Sequence, residues 1–353
     1  MTTSGRARLC SLVAGSLLAA GSVVAQSPAA DLRVKLESPE GAAVPGALVA
    51  LIDARDSVVA EGLSDERGMR ILRAREGSYR VRVRRIGYQP FISLPVSLPR
   101  SGDLVLRIES PRVVLQSIVV NSKSQCKRSD RDARSLSVVW DEIDKALRAS
   151  QITTSDLSGS GWAMTYHQES AADGTVISSD TSVFPITVTR PFGAVDPGRL
   201  SRDGYVIGDP TIGWSYFGPD ETVLLSDQFA ATHCFRLVRD PLRAHEIGVA
   251  FEPVPKRTVA DITGVLWVDE ATAELREIVF RYVNARPISE FDAGGFTRFR
   301  RSATGRWLVD DWRLRVPRLE MRPASYSRRF VAVGYADNGG GILSTPRDTT
   351  QRK

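Results

Sequence analysis

The stretch from Pro45 to Pro90 constrains this chain more than any other part of it. It is a series of short strands cut by turns. Ala47 to Ile52 is a compact apolar run, and Asp65-Glu66-Arg67-Gly68 is a turn between two further strands. Gly77-Ser78-Tyr79 then opens a strand in which Tyr79, Val81 and Val83 alternate with Arg80, Arg82 and Arg84. A period of two puts the apolar set on one face and the arginines on the other, as in a sheet with one buried side. Short strands joined by tight turns predict a small β-sandwich.

The order G-A-x-V-x-L, then D-x-x-G, then E-G-x-Y-x-V-x-V-x-x-I-G-Y resembles the carboxypeptidase regulatory-like domain, a seven-stranded transthyretin-like sandwich. It is carried by Gly46, Ala47, Val49, Leu51, Asp65, Gly68, Gly77, Tyr79, Val81, Val83, Ile86, Gly87 and Tyr88. The likeness covers residues 31–110, with a first strand over Asp31 to Glu37 and a last over Gly102 to Glu109. It implies an accessory module of the cell envelope or exterior, without an active site, that binds carbohydrate or protein.

Residues 1–25 read as a secretory signal peptide. Arg6 and Arg8 give the positive start, Leu9 to Val24 the apolar run, and Val23 and Ala25 the small residues of a cleavage site. Cys10 follows Ala7-Arg8-Leu9, which is no lipidation motif. No other segment approaches the roughly 20 apolar residues needed to span a bilayer. The expected location is therefore the periplasm or the exterior, free or resting on the outer membrane. The net charge is +6, but the arginines are scattered along strands and no recognition motif accompanies them, which excludes a nucleic-acid partner. After leader removal only Cys126 and Cys234 remain. In an oxidising compartment the favoured reading is a disulfide between them, with an intermolecular bridge or a free thiol as alternatives.

Residues 111–135 read as a strand, Arg112 to Asn121, followed by a polar linker, Ser122 to Ser135. A TonB-dependent receptor has a similar strand here, but too little chain follows for a plug and a barrel. Ser137 is expected to cap a helix over Val138 to Ser150. Val139, Ile143 and Leu147 share one face of it, and the pairs Asp141/Lys145 and Asp144/Arg148 lie on the other. Strands are expected at Trp162 to Gln168, Thr175 to Ser182, Thr222 to Ser226, Cys234 to Val238, Phe296 to Arg300, Arg306 to Arg315 and Tyr326 to Tyr335. The clearest pattern is a hairpin over Asp261 to Val283, turning through Glu270 to Glu274. Residues 136–336 thus read as an α+β domain, an antiparallel meander with one helix. The tail, 337–353, with its three consecutive glycines, reads as disordered.

Gly264, Leu266, Trp267, Val268, Asp269, Thr272 and Leu275, with Arg306, Trp307, Val309 and Trp312, make this hairpin and the later strand similar to periplasmic lipoprotein carrier and sorting proteins. In that family a curved antiparallel sheet, a half-barrel, wraps helices around an apolar cavity.

Catalytic patterns fail on spacing. The residues three beyond His167, His233 and His245 are Ser170, Arg236 and Gly248, so no zinc-peptidase pair exists. Ser158-Gly159-Ser160-Gly161 has the wrong spacing for a nucleophile elbow. His233 and Cys234 are strand neighbours that point to opposite faces. No metal or cofactor is called for. Trp214 and Tyr216, in the Gly-Pro-rich loop from Gly208 to Pro219, are the expected ligand contacts, because a loop aromatic has less packing reason to be there. The leading expectation is a non-enzymatic envelope protein that binds a polysaccharide or another envelope protein. The alternative is a carrier of lipid or lipoprotein with an apolar cavity in the second domain, and a hydrolase is the remote third.

Overall fold

A computed structural model describes residues 29–109, 112–115, 126, 130–156, 161–186, 192, 195–302, 304–324 and 327–344. The proposed leader, most of the 111–135 segment and the last nine residues lie outside them. The described chain is mainly β, in open and predominantly antiparallel sheets.

Eight strands come first: β1 Ala29–Glu37, β2 Leu48–Ile52, β3 Val58–Leu63, β4 Met69–Arg75, β5 Gly77–Arg84, β6 Phe91–Ile92, β7 Val96–Leu98 and β8 Leu104–Arg107. One sheet has the order β4-β1-β8, with β1 and β8 parallel, and the other runs β3-β2-β5-β6 with β7 also paired to β5. Leu32, Val34, Leu36 and Leu72 of the first sheet share one apolar core with Val49, Leu51, Val81 and Val83 of the second. The alternation in β5 holds: Val81 and Val83 are buried between half-exposed arginines.

The remaining elements are α1 Asp130–Asp156, β9 Trp162–Ala171, β10 Val176–Pro185, α2 Pro197–Asp203, β11 Val206–Asp209, β12 Gly213–Tyr216, α3 Glu221–Leu224, α4 Asp227–Thr232, β13 His233–Val238, β14 Glu246–Pro253, β15 Asp261–Asp269, β16 Leu275–Val283, β17 Gly294–Arg301, β18 Trp307–Ala324 and β19 Ser327–Ser344. Nine of these strands form one antiparallel sheet, β10-β9-β19-β18-β17-β16-β15-β14-β13. α1 lies along one face, against β13 to β16 and β18. Val139, Ile143, Ala146 and Leu147 are buried there with Leu266, Ile278, Phe280 and Trp307 from the sheet.

Several expectations need correction. The helix starts near Asp130, so residues 130–135 of the supposed linker are helical and Ser137 is an interior residue, not a cap. Charged sequence is compatible with an exposed helical turn as well as with a linker, so composition alone could not decide. The described residues hold four α-helices rather than one, and Thr222 to Ser226 belongs to short helices instead of a strand. β19 runs on to Ser344, so residues 337–344 of the supposed disordered tail are a central strand. The rest of that tail lies outside the described residues.

The two sheet bodies are also joined more closely than a tether implies. Leu48, Leu63 and Ile86 of the first belong to the core around α1. Arg84 meets Asp141 at 2.8 Å and Asp144 at 2.6 Å. The Gly87 amide donates to Glu142 Oε2 at 2.7 Å, and Lys145 Nζ donates to the Tyr88 carbonyl at 2.8 Å and to Glu142 Oε1 at 2.7 Å. Gly87, at φ +82°, is the only residue type that fits this turn, since a Cβ there would stand 2.8 Å from the Thr272 carbonyl.

The β15–β16 hairpin is closed by Asp269, whose Oδ1 accepts from the amides of Ala271 and Thr272 and from the Thr272 hydroxyl, while Oδ2 faces Arg276. Burial alone would raise this carboxyl, but the Thr272 donors and Arg276 outweigh it and hold the group below its usual range. A lowered folded-state pKa gives stability that is complete above the unfolded carboxyl value and is lost as pH falls through the folded one. Asp269→Asn is therefore expected to cost about 1 to 2 kcal/mol at neutral pH, and less at pH values below the carboxylate range. Urea unfolding at both ends of that range measures the difference, and an equal deficit at both would refute the assignment.

Candidate functional site

α1 covers only part of the sheet face it lies on. Beyond its C-terminal turns a cavity of about 280 Å³ remains between the helix end and strands β9, β10, β18 and β19. The sheet side is mostly apolar, with Ala163, Met164, Phe184, Ile186, Val309, Trp312 and Ile342 around the single hydroxyl of Thr165. The helix side is polar, with Gln151, Thr154 and Ser155, and Glu221 from the start of α3. Three of these polar groups are already engaged: Glu221 Oε1 accepts from Ser150 Oγ at 2.8 Å, Gln151 Nε2 donates to Thr222 Oγ1 at 3.1 Å, and Thr154 Oγ1 donates to the Ser150 carbonyl at 3.0 Å. One wall therefore offers water-repelling surface and the other a fixed rim of dipoles.

The glycine run is part of this wall. Gly341 lines the cavity, and a Cβ on it would stand 2.0 Å from the Asp310 carbonyl of β18. The feature that suggested a floppy tail is what allows the backbones to approach. Two larger hollows, of about 580 and 470 Å³, are shallower grooves with charged walls, the first including Glu40, Arg85 and Glu109 and the second Arg67, Arg70 and Asp156. An apolar ligand has less to gain there.

Trp214 and Tyr216 are placed elsewhere, on β12 of a small hairpin. Both are half-buried: the Trp214 ring lies 6.2 Å from Phe330 and the Tyr216 ring 5.9 Å from Tyr282. Burial pushes the Tyr216 hydroxyl up to about 12. They pack as core aromatics, and neither lines the cavity. The aromatics that do are Phe184 and Trp312, and the Trp312 ring meets Phe192 edge-on at 5.3 Å. The alternation of β18 could have singled out Trp312, but nothing in the sequence says that the helix opposite it stops short.

Cys126 and Cys234 are disulfide-bonded, with their Cα atoms 4.9 Å apart. His233, next to Cys234, is buried; its Nε2 lies 3.1 Å from Asp261 Oδ1, without the alignment of a hydrogen bond. Asp261 is in turn paired with Arg257. A sulfur tied up in a disulfide cannot serve as a nucleophile, so this neighbourhood is a buried polar cluster. Among the described residues no three His, Cys, Asp or Glu side chains are grouped as metal ligands, and no helix is long and apolar enough to cross a membrane.

No protein-family model and no curated protein matches the sequence. Among solved structures, a DUF1329 family protein from Desulfovibrio piger is similar over 56% of this chain and 90% of its own, at 11% identity and a TM-score of 0.23.

Proposed function

We propose that the chain is an exported, non-enzymatic binding protein that carries an apolar chain, such as the acyl group of a lipid or lipoprotein, in the cavity beside α1. The supporting observation is the cavity itself: an apolar sheet wall and a polar helix rim, at the end of the one long helix that the large sheet holds. At about 280 Å³ it is near the lower end of the roughly 300–1,000 Å³ of ordinary ligand pockets. That size suits one alkyl chain with its polar remainder at the mouth. The polysaccharide reading leaned on exposed loop aromatics, and Trp214 and Tyr216 are instead half-buried. In this proposal residues 31–110 are a transthyretin-like sandwich serving as an accessory module, and the leader directs the chain to the periplasm.

Native mass spectrometry of protein purified from the periplasm tests the proposal. Wild type is expected to carry extractable lipid. Ala163→Phe, which adds a ring to the apolar wall, is expected to lose at least about tenfold of it while keeping its unfolding midpoint. Bare wild-type protein, or full occupancy in the variant, would sink the carrier reading.

A further inference from the structure

Strands that bury one face should be apolar inward and polar outward. The strand ends around the cavity break this rule. Ala163, Phe184 and Ile342 point into it, yet their immediate neighbours Trp162, Val183 and Leu343 are also apolar and are 51%, 56% and 48% exposed. These neighbours belong together. Val183 pairs with Met164 and Trp162 with Pro185, so strand alternation puts Val183 and Trp162 on the outer face of one sheet corner, and Leu343 lies beside them at the bulge between Ile342 and Ser344. That corner is apolar on both faces, as in a fully buried strand, but among the described residues only its inner face is covered.

Two occupants could cover the outer face. A second copy of the chain is a poor one, because three half-exposed side chains supply far less than the roughly 800 Å² that each partner buries in a standard interface. A lipid surface needs no such area. It takes apolar side chains individually and favours Trp at its boundary. Charge points the same way. The nine residues that follow Ser344 in the sequence include Arg347, Arg352 and Lys353 against the single acid Asp348. Basic residues next to an apolar anchor add attraction to anionic headgroups.

We infer that the corner formed by Trp162, Val183 and Leu343 docks onto an anionic lipid surface, which sets the strand ends that line the cavity against the bilayer. The inference rests on the carrier reading for its purpose, since a ligand with an alkyl chain then passes between bilayer and cavity without crossing water. Its geometry is independent of that reading.

The test is co-sedimentation of the purified protein with vesicles of phosphatidylethanolamine and phosphatidylglycerol, and with vesicles of phosphatidylcholine alone, at low and high salt. Wild type should sediment with the anionic vesicles and less with the neutral ones. Trp162→Ser, Val183→Ser and Leu343→Ser together should weaken this on the order of tenfold or more. All three side chains are exposed, so the variant should keep the wild-type unfolding midpoint. Arg347→Gln, Arg352→Gln and Lys353→Gln together should remove most of the salt dependence and leave the residual binding to neutral vesicles. Wild type that stays in the supernatant with every vesicle, or a serine variant that binds as well as wild type, overturns the inference. So does a wild-type dimer, seen by light scattering, that the serine variant abolishes. The two readings fail separately: protein that sediments but carries no lipid keeps the docking corner and loses the carrier. Protein that carries lipid but ignores vesicles does the reverse.

Discussion

Replacing Cys126 and Cys234 together with serine is expected to lower the unfolding free energy by about 4 to 5 kcal/mol. The disulfide joins positions 108 residues apart, and loop-closure entropy grows with the logarithm of that separation. Its Cα–Cα distance of 4.9 Å is within the ordinary range for a disulfide. The bond also has a specific mechanical place. Cys234 is on β13, the last strand of the nine-stranded sheet, and Cys126 precedes α1, which packs across that sheet. The crosslink therefore holds the approach to the helix against the edge strand, where backbone groups have no further strand to pair with. For a protein with a typical stability of about 5–15 kcal/mol, such a loss is a large fraction of the whole. Urea unfolding of wild type with and without dithiothreitol provides the check. Reduced wild type should match the double serine variant, and the variant should ignore the reductant. If reductant leaves the wild-type midpoint where it was, the crosslink does not carry this stability.

The strands were legible because their cause is local. In β5 and in β15–β16 alternation assigns each residue to a face, and turn residues such as Asp269 mark where the chain reverses. What could not be read were features that depend on a second partner. Asp141/Lys145 and Asp144/Arg148 have the spacing of exposed helix-surface pairs, and both form, at 2.9 and 3.0 Å. Yet Lys145 is fully buried, because this face of α1 meets the turn at Gly87 and Tyr88 instead of water. Periodicity identifies faces, not what covers them. The glycines at 339–341 were misread for a related reason. Glycine weakens an isolated strand, and only the closeness of Tyr166, Met164 and Asp310 on the neighbouring strands explains why no larger residue fits. The cavity was out of reach altogether, since it exists where a helix ends short of the sheet beside it.

Lys145→Met is the second substitution expected to have a large effect, about 3 to 5 kcal/mol, because it strips one charge from a buried pair and leaves the other uncompensated. Lys145 Nζ bonds Glu142 Oε1 and the Tyr88 carbonyl, and both charged side chains are fully buried. Burial pushes the Glu142 carboxyl above its usual value even though Lys145 and the Gly87 amide pull it down. A raised folded-state pKa in a carboxyl means that protonation favours the folded protein. The contribution is complete below the unfolded value and is lost as pH rises through the folded one. Without Lys145 that loss grows, so the deficit of Lys145→Met should be widest near neutral pH and should shrink as the medium is acidified into the glutamate range. Adding Glu142→Gln to Lys145→Met removes the buried charge while keeping an acceptor for the Gly87 amide, and it should recover part of the loss at neutral pH. Recovery stays incomplete because the Tyr88 carbonyl still lacks its donor. Urea unfolding of the single and double variants at neutral and acidic pH measures all of this. A deficit that is the same at both pH values, and unaffected by Glu142→Gln, would mean that Lys145 acts by filling space and that no buried charge holds the first sheet body to α1.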